Sequence, residues 1–211
     1  MHLSFDFDYT LADSSDGTVA CATYALGRMN LTAPEPERIR HTVGLSLERT
    51  YVALTSRDNV EEAARFKSLF FEHADEVMLD HIRLFRGVPT LLNSLKDKGH
   101  YVSIVSTKLK IRIEQALTRD GLRHAVDDIV GGGCVDENKP HPEGLLLACK
   151  RSGIARNATF YVGDSVSDGG CAVAADVPFI AVLSGKTEES ELRRFQPKSV
   201  LEHVVEIDSL V

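Results

Sequence analysis

The chain has 211 residues, of which 43% are hydrophobic and 26% charged, a composition that fits one globular domain or one domain with a modest insertion. Its formal net charge of -7 and its lack of a Lys/Arg-rich run argue against a nucleic-acid partner. Four scattered cysteines argue against a secreted disulfide scaffold, and no segment has the apolar length needed to span a membrane. Because the first residues also lack a basic leader, we expect a cytoplasmic protein, monomeric or homodimeric, with no membrane partner.

Short β-rich runs alternate with longer helical patterns along most of the chain, which is typical of a parallel sheet with crossover helices. The strand candidates are His2–Phe7 and the runs that begin at Tyr101, Asp127, Thr159 and Pro178. Between them, Thr90–Gly99 and Pro142–Gly153 show helical spacing and end at glycine, so we expect two crossover helices. These patterns predict an α/β fold with a doubly wound parallel sheet.

Residues 14–83 break this alternation, because they show helical periodicity without an intervening strand. We predict that they form a small inserted all-helical domain, called the cap. Residues 1–13 and 84–211 would then form the α/β core.

Two acidic residues, Asp6 and Asp8, stand where the first apolar strand ends. Residues two apart in an extended chain point to the same side, so both carboxylates can face one reacting group. One carboxylate can attack phosphorus while the other protonates the leaving oxygen. Taken alone, the pattern also fits a solvated turn in which Asp or Thr caps a backbone N–H.

Three further strand ends carry polar groups suited to phosphoryl transfer. Ser106 and Thr107 follow one strand, where they can hold phosphate oxygens, although Ser106 can also cap the next helix. Lys139, in a proline-rich loop, could neutralise developing negative charge, although exposed lysines are common in such loops. Asp164 and Asp168 follow another strand beside glycines, a pattern that suits either a magnesium site or a helix cap.

The coincidence of these features favours the functional interpretation. Four separate turns would rarely each supply a group that one reaction needs, and the carboxyl ends of parallel strands share one edge of a sheet. Phosphoryl transfer depends mainly on positioning and charge neutralisation, which this set of groups can supply. We therefore predict a phosphate-transferring enzyme in which magnesium bridges Asp6, the substrate phosphate and Asp164, with Asp168 acting directly or through a water.

The segments DFDYTLADS, YVSIVSTK, KPHPEGLLLA and GDSVSDGGCA, in this order, resemble the motifs of the haloacid dehalogenase-like hydrolase superfamily. The chain resembles in particular the phosphoglycolate phosphatase and β-phosphoglucomutase-like branch, which has a helical cap after the first strand. The resemblance covers nearly the whole chain. It implies a role for each polar residue: Asp6 as nucleophile, Asp8 as acid/base with its carbonyl on the metal, Ser106, Thr107 and Thr10 on phosphate, Lys139 as the neutralising cation, and Asp164 with Asp168 for Mg2+.

Two positions bear on the substrate. Tyr9 stands where this superfamily usually has glycine, so a bulky side chain lies beside the catalytic pair and could narrow the cavity or stack on a ligand. The segment Thr42–Ser46 resembles the family's substrate-specificity loop, so Gly44, Leu45 and Ser46 are expected to choose the substrate. A simple helix break at Gly44 is the alternative.

The resulting hypothesis is a magnesium-dependent phosphatase that hydrolyses a small phosphomonoester, phosphoglycolate-like or a sugar phosphate, through an aspartyl-phosphate. A halide-releasing dehalogenase would lack the second carboxylate at Asp8. A phosphomutase needs the same residues and stays open as an alternative. A receiver-like regulatory domain would be shorter and without the insertion, and a non-catalytic phosphate-binding protein would be expected to lose a nucleophile or metal ligand.

Overall fold

The computed structural model describes residues 1–211 and separates into two compact units. The first unit combines Met1–Ala12 with Leu84–Val211, and the second is Asp13–Arg83. The strands are β1 (His2–Phe5), β2 (Ala12–Asp13), β3 (Arg83–Leu84), β4 (Tyr101–Leu109), β5 (Asp128–Gly132), β6 (Thr159–Gly163), β7 (Phe179–Val182) and β8 (Ser199–Leu201).

The α-helices include long amphipathic helices and short connecting turns. They are α1 (Ser15–Arg28), α2 (Pro36–Arg40), α3 (Leu47–Thr55), α4 (Val60–His81), α5 (Val88–Asp97), α6 (Lys110–Arg119), α7 (Glu143–Ser152), α8 (Val166–Ala175) and α9 (Glu189–Leu192). Short 3-10 helices cover Arg123–Ala125, Arg156–Ala158, Arg193–Phe195 and Val204–Ser209. None of the helices combines the length and the apolar character that a membrane crossing requires.

The first unit is built around a six-stranded parallel sheet with the strand order β5-β4-β1-β6-β7-β8, while β2 and β3 pair separately. β1 is central, because Leu3 pairs with Val102 of β4 on one side and with Phe160 of β6 on the other. The chain fills the two halves of the sheet from β1 outwards, so the loops after β1, β4 and β6 meet at the switch point of the topology. The predicted α/β fold with a doubly wound parallel sheet is confirmed.

Two strand boundaries differ from the predicted ones. β1 ends at Phe5 instead of Phe7, and β4 continues past Ser106 to Leu109. The extension of β4 depends on glycine in the neighbouring strand, since a Cβ on Gly132 would lie 2.7 Å from the carbonyl oxygen of Thr107. After a register shift, Leu109 therefore pairs with Gly132.

Two helices bury the segments that carry the later motifs. Leu145 and Ala148 of α7 and Ala172 and Ala175 of α8 belong to one buried apolar cluster with Tyr161 of β6. Each large apolar side chain buried in this way contributes about 1.5–3 kcal/mol to stability. This packing fixes β6 and the first turn of α8, which begins at the carboxyl edge of the sheet.

A buried polar network joins the amino-terminal ends of three neighbouring strands. His2 Nε2 lies 2.7 Å from Ser103 Oγ, and His2 Nδ1 lies 3.2 Å from Thr159 Oγ1. His2 is fully buried, and desolvation lowers the pKa of its imidazole to about 4. The ring is therefore uncharged at neutral pH and is stabilised by hydroxyl partners.

The second unit is a small helical assembly in which α1 packs against α4. A Cβ on Gly17 of α1 would lie 2.8 Å from Met78 Sδ of α4, so glycine permits the close approach of these helices. Tyr51 of α3 and Phe66 of α4 are fully buried, and their rings lie 5.7 Å apart. Aromatic burial thus supplies much of the core of this unit.

Candidate active site

Asp6 lies one residue beyond β1, at the carboxyl edge of the sheet. Its backbone N–H donates to the carbonyl oxygen of Val162 at 2.8 Å, so pairing with β6 continues as far as Asp6. The chain then reverses in a tight turn, in which the Leu11 N–H donates to the Phe7 carbonyl at 2.9 Å. Asp6 is only 2% exposed, so it does not belong to the solvated turn of the alternative interpretation.

Tyr9 lies in this turn with a φ of 60°, in the left-handed region that glycine adopts without steric cost. This backbone conformation gives a physical reason for the expectation that glycine would occupy this position. Tyr9 is buried, its N–H donates to the Ala12 carbonyl at 2.7 Å, and its carbonyl accepts from Ser184 Oγ at 2.5 Å. The residue between Asp8 and Thr10 is therefore held in place at both of its backbone polar groups.

Three buried carboxylates meet at the ends of β1 and β6. One carboxylate oxygen from each of Asp6, Asp164 and Asp168 lies within 4.8 Å of the other two. Thr10 orients Asp164, because its hydroxyl donates to Asp164 Oδ1 at 2.9 Å. The structure thus brings together acidic residues that are far apart in the sequence.

Asp168 also caps helix α8. Ser165 Oγ accepts from the Asp168 N–H at 3.2 Å, and Asp168 Oδ2 accepts from the Ser165 N–H at 3.0 Å, which together form a capping box. The alternative interpretation of this motif, a helix cap, is therefore correct for one carboxylate oxygen of Asp168, Oδ2. The other oxygen, Oδ1, faces Lys139, so a single carboxylate contributes to both the helix and the acidic cluster.

Lys139 lies among these carboxylates. Its Nζ is 2.8 Å from Asp6 Oδ1 and 2.5 Å from Asp168 Oδ1. Lys139 is only 8% exposed, unlike the solvated loop lysine of the alternative interpretation. Although the ammonium is close to Asp6 Oδ1, no donor meets this buried oxygen at the angles of a hydrogen bond.

Burial strongly affects protonation in this cluster. Desolvation raises the pKa of Asp6 to about 6 despite the opposing charge of Lys139, and it raises the pKa of Asp164 well above its usual value. Desolvation alone would lower the pKa of Lys139, but the charges of Asp168 and Asp6 outweigh it and raise the pKa. Three carboxylates around one ammonium leave an excess of negative charge when ionised, which a cation would balance.

The donor set fits a magnesium ion. Magnesium prefers oxygen ligands and is usually bound through one or two carboxylates with waters and substrate phosphate. Asp6, Asp164 and Asp168 each offer a buried carboxylate oxygen, and these oxygens lie within 4.8 Å of one another. Because Lys139 brings only one positive charge to three carboxylates, the local excess of negative charge favours a bound cation.

Asp8 forms an ion pair with Lys108 of β4. Lys108 Nζ lies 3.0 Å and 3.1 Å from the two carboxylate oxygens of Asp8, and both side chains are nearly buried. The sequence reasoning assigned no role to Lys108. The spacing of Lys108 from Ser106 could have indicated a role in the site, because residues two apart on a strand point to the same side.

Ser106 and Thr107 lie within β4 rather than in the loop that follows it. Ser106 is nearly buried, and its Oγ accepts from the Lys108 N–H at 3.4 Å. Helix α6 begins at Lys110 with Leu109 as its N-cap residue and no side-chain cap. Ser106 therefore does not cap this helix, which removes the alternative explanation for its position.

The loop after β7 also reaches this part of the structure, and the sequence reasoning missed it. Ser184 donates its hydroxyl to the Tyr9 carbonyl, and a Cβ on Gly185 would overlap Asp164 Oδ2. The available signal was the strand candidate at Pro178, which is followed by Ser and Gly at the edge of the sheet that carries the other motifs.

Gly44, Leu45 and Ser46 lie in the second unit, between α2 and α3. Gly44 has a φ of 91°, and Ser46 caps α3 by accepting from the Arg49 N–H at 3.4 Å. The segment is a turn that starts a helix, so the predicted break at Gly44 is present. A role in substrate choice stays a prediction.

Comparisons with known proteins agree with these features. The family model for haloacid dehalogenase-like hydrolases matches residues 3–182. A phosphoglycolate phosphatase of Nitrosococcus oceani is 28% identical over 214 residues, covering 98% of this chain and 94% of the relative. The phosphoglycolate phosphatase of Escherichia coli strain K12 is 28% identical over 223 residues, covering 96% of this chain and 88% of the relative. A solved structure described as a haloacid dehalogenase-like hydrolase of Bacteroides fragilis matches with a TM-score of 0.94 and 35% identity, covering 97% of this chain and 98% of that chain.

The doubly wound fold and its buried acidic centre define an α/β protein with a candidate site at the carboxyl edge of its sheet. The chain belongs to the haloacid dehalogenase-like hydrolase family, in the branch that contains the phosphoglycolate phosphatases. The resemblance predicted from four motifs is confirmed, and so is the prediction of a phosphatase enzyme.

Proposed function

We propose that this enzyme is a magnesium-dependent phosphatase that hydrolyses a small phosphomonoester through a covalent aspartyl-phosphate on Asp6. The observation that carries the proposal is the meeting of Asp6, Asp164, Asp168 and Lys139 in one buried cluster. Such a cluster supplies a carboxylate nucleophile, oxygen ligands for a cation and a fixed positive charge, which are the groups that phosphoryl transfer requires.

Asp6, Asp164 and Asp168, together with the backbone carbonyl of Asp8, would hold the magnesium ion. When bound, magnesium supplies charge neutralisation to the phosphoryl oxygens. The ammonium of Lys139 lies 2.8 Å from Oδ1 of the nucleophile Asp6. It would stabilise the negative charge that develops on Asp6 and on the phosphoryl group.

In the proposed first step, an oxygen of Asp6 forms a bond to phosphorus while the bond between phosphorus and the alcohol oxygen breaks. Asp8 enters this step as the carboxylic acid, gives its proton to the departing alcohol and is left as the carboxylate. In the second step, water attacks the same phosphorus while the bond between the Asp6 oxygen and phosphorus breaks. The Asp8 carboxylate takes a proton from the water, so that inorganic phosphate, the Asp6 carboxylate and protonated Asp8 result. Ser106, Thr107 and Thr10 would border the phosphate in both steps, and Thr10 also orients Asp164.

The substrate class is proposed from the relatives, of which several are named phosphoglycolate phosphatases. We propose a small-molecule phosphate ester, phosphoglycolate-like or a sugar phosphate. From the family resemblance, we also propose that residues 14–83 act as a cap whose residues Gly44, Leu45 and Ser46 select the ester. Four free cysteines fit a reducing compartment, which supports the cytoplasm as the proposed location.

The experiment is phosphate release from a panel of phosphate esters, with magnesium and with a chelator, by the wild-type enzyme and by Asp6→Asn. We expect magnesium-dependent release by the wild type and none by Asp6→Asn, because an amide oxygen is too weak a nucleophile to form the covalent intermediate. Mass spectrometry of acid-quenched wild-type enzyme should find added phosphate on the peptide that contains Asp6.

Asp97→Asn is a matched control, since Asp97 is an exposed carboxylate at the end of α5. It should keep full activity. Undiminished phosphate release by Asp6→Asn would contradict the covalent mechanism, and conversion of an ester into its isomer without net phosphate release would identify a mutase instead.

A further inference from the structure

The loop after β7 contacts two segments of the site that are far apart in the sequence. Ser184 Oγ donates to the Tyr9 carbonyl at 2.5 Å. The next residue, Gly185, lies so close to Asp164 that a Cβ would overlap Oδ2 and would lie 2.7 Å from Cγ. One short loop therefore contacts both the turn that carries Asp8 and the end of β6.

Among the residues of the candidate site, Tyr9 is the one with a left-handed backbone conformation. An L-residue with a φ of 60° is strained, and such strain persists only when the surrounding structure holds it. Its N–H is held by Ala12 within the same turn, whereas its carbonyl is held by Ser184 from the loop after β7. Since Tyr9 lies between Asp8 and Thr10, a change in its φ would redirect both neighbouring side chains.

Both contacts of the loop after β7 affect Asp164, one through Thr10 and one directly. Thr10, which follows Tyr9, donates its hydroxyl to Asp164 Oδ1 at 2.9 Å. Gly185 packs against the other oxygen of that carboxylate, Oδ2. The position of Asp164 thus depends on Ser184 through Tyr9 and Thr10, and on Gly185 directly.

We propose that Ser184 and Gly185 are positioning residues for this phosphatase. Ser184 holds Tyr9 in the left-handed conformation, so that Asp8 and Thr10 keep their places, and the missing side chain of Gly185 leaves room for the Asp164 carboxylate. The kinetic consequences rest on the proposed function, whereas the contacts themselves do not.

Replacement of Ser184 by alanine tests the first half of the proposal. We expect Ser184→Ala to lower kcat by about 10- to 100-fold, the size typical of residues that orient metal-site ligands, with little change in KM. Ser184→Thr keeps the hydroxyl and should recover most of the loss. Ser190→Ala removes an exposed serine of α9 and should leave kcat unchanged.

A double-mutant cycle with Tyr9→Gly separates positioning from a general structural role. Glycine adopts a φ of 60° without support, so Ser184→Ala should cost much less kcat in the Tyr9→Gly background than in the wild type. An equal cost in both backgrounds would overturn the proposed action of Ser184 through Tyr9.

Replacement of Gly185 by alanine tests the second half. The added Cβ should displace the Asp164 carboxylate, so we expect the magnesium concentration for half-maximal activity to rise by about 10- to 100-fold. The magnesium-dependent rise in melting temperature should weaken in parallel, which is a readout that does not depend on turnover. Gly27→Ala is the control, because a Cβ there meets no atom within 4 Å.

Urea unfolding of the same four cycle proteins distinguishes failure of this proposal from failure of the proposed function. We expect the loss of unfolding free energy caused by Ser184→Ala to be smaller in the Tyr9→Gly background, whether or not any ester is hydrolysed. If the wild type released no phosphate while this coupling was present, only the proposed function would fail. Additive effects on stability and on kcat would overturn the inference about Ser184.

Discussion

Two titratable residues at opposite ends of β1 show how burial affects charge. Asp6 follows the carboxyl end of the strand, and desolvation raises its pKa to about 6. His2 begins the strand, and desolvation lowers its pKa to about 4. In both residues the loss of water disfavours the charged form, but Asp6 has a lysine ammonium 2.8 Å away, whereas His2 has hydroxyl partners.

We expect His2 to make the protein less stable as the pH falls from 6.5, its ordinary pKa, to about 4. In this window the unfolded chain binds a proton that the folded His2 does not, so the free energy of unfolding decreases towards acid pH. The full effect is on the order of 3 kcal/mol, and it is complete once the pH is below the folded pKa. Urea unfolding at several pH values measures it.

The control for this prediction is a pair of histidine variants. His2→Gln has no titrating ring and should lose this part of the pH dependence. His141→Gln, at an exposed position, should retain it. An unchanged pH dependence in His2→Gln would show that His2 does not titrate differently in the two states.

At the scale of single residues, the acidic cluster and Lys139 could be predicted because their chemistry and their positions after apolar runs are visible in the sequence. Lys108 and Ser184 could not be predicted in the same way. The role of Lys108 depends on the extension of β4 beyond Ser106, and the contact of Ser184 depends on a φ of 60° at a tyrosine, which residue preferences disfavour.

At the scale of elements, α8 links helix capping to the site. Its N-cap residue Ser165 accepts from the Asp168 N–H and also donates its hydroxyl to Asp168 Oδ2 at 2.6 Å. The same carboxylate faces Lys139 through Oδ1. The start of this helix and the orientation of a proposed metal ligand are therefore set by one group of hydrogen bonds.

We expect Ser165→Ala to lower the free energy of unfolding by about 1 kcal/mol, the usual cost of removing an N-cap side chain. It should also lower kcat, because Asp168 loses a hydrogen bond that orients it. Denaturant unfolding and steady-state kinetics measure the two effects.

Asn59→Ala provides the comparison at another helix. Asn59 caps α4 by accepting from the Glu62 N–H at 3.0 Å, so its removal should cost a similar amount of stability. We expect this variant to keep its kcat. Equal kcat values for both variants would contradict the link between the cap of α8 and catalysis.

The boundaries of elements were less predictable than their order. β4 is longer than its apolar run because glycine in β5 permits a close backbone approach, and this contact between distant segments is not contained in local periodicity. β1 is shorter than its apolar run because the chain reverses in the local turn that begins at Phe7.

At the scale of the whole molecule, the chain divides its residues between two units. All the proposed catalytic, phosphate-binding and metal-binding residues lie in the first unit, whereas Gly44, Leu45 and Ser46 lie in the second. If the second unit selects the ester, substrate preference and metal dependence should be separable by mutation.

We therefore expect Leu45→Ala to change the relative kcat/KM values among phosphate esters without changing the magnesium concentration for half-maximal activity. The substrate panel with a magnesium titration measures both quantities. Leu146→Ala, at an exposed leucine of α7, should change neither. An unaltered order of preference in Leu45→Ala would contradict the proposed role of this segment.

The central position of β1 has a consequence for synthesis on the ribosome. β1 is made before both of its neighbours, which begin at Tyr101 and Thr159, so one of its edges stays unpaired until β4 is translated and the other until β6 is translated. The helical segment Asp13–Arg83 is complete much earlier and depends on contacts that are closer in sequence. The nascent chain therefore carries β1 as an apolar strand with unpaired edges while the later segments are made, the kind of edge that recruits chaperones or associates with other chains.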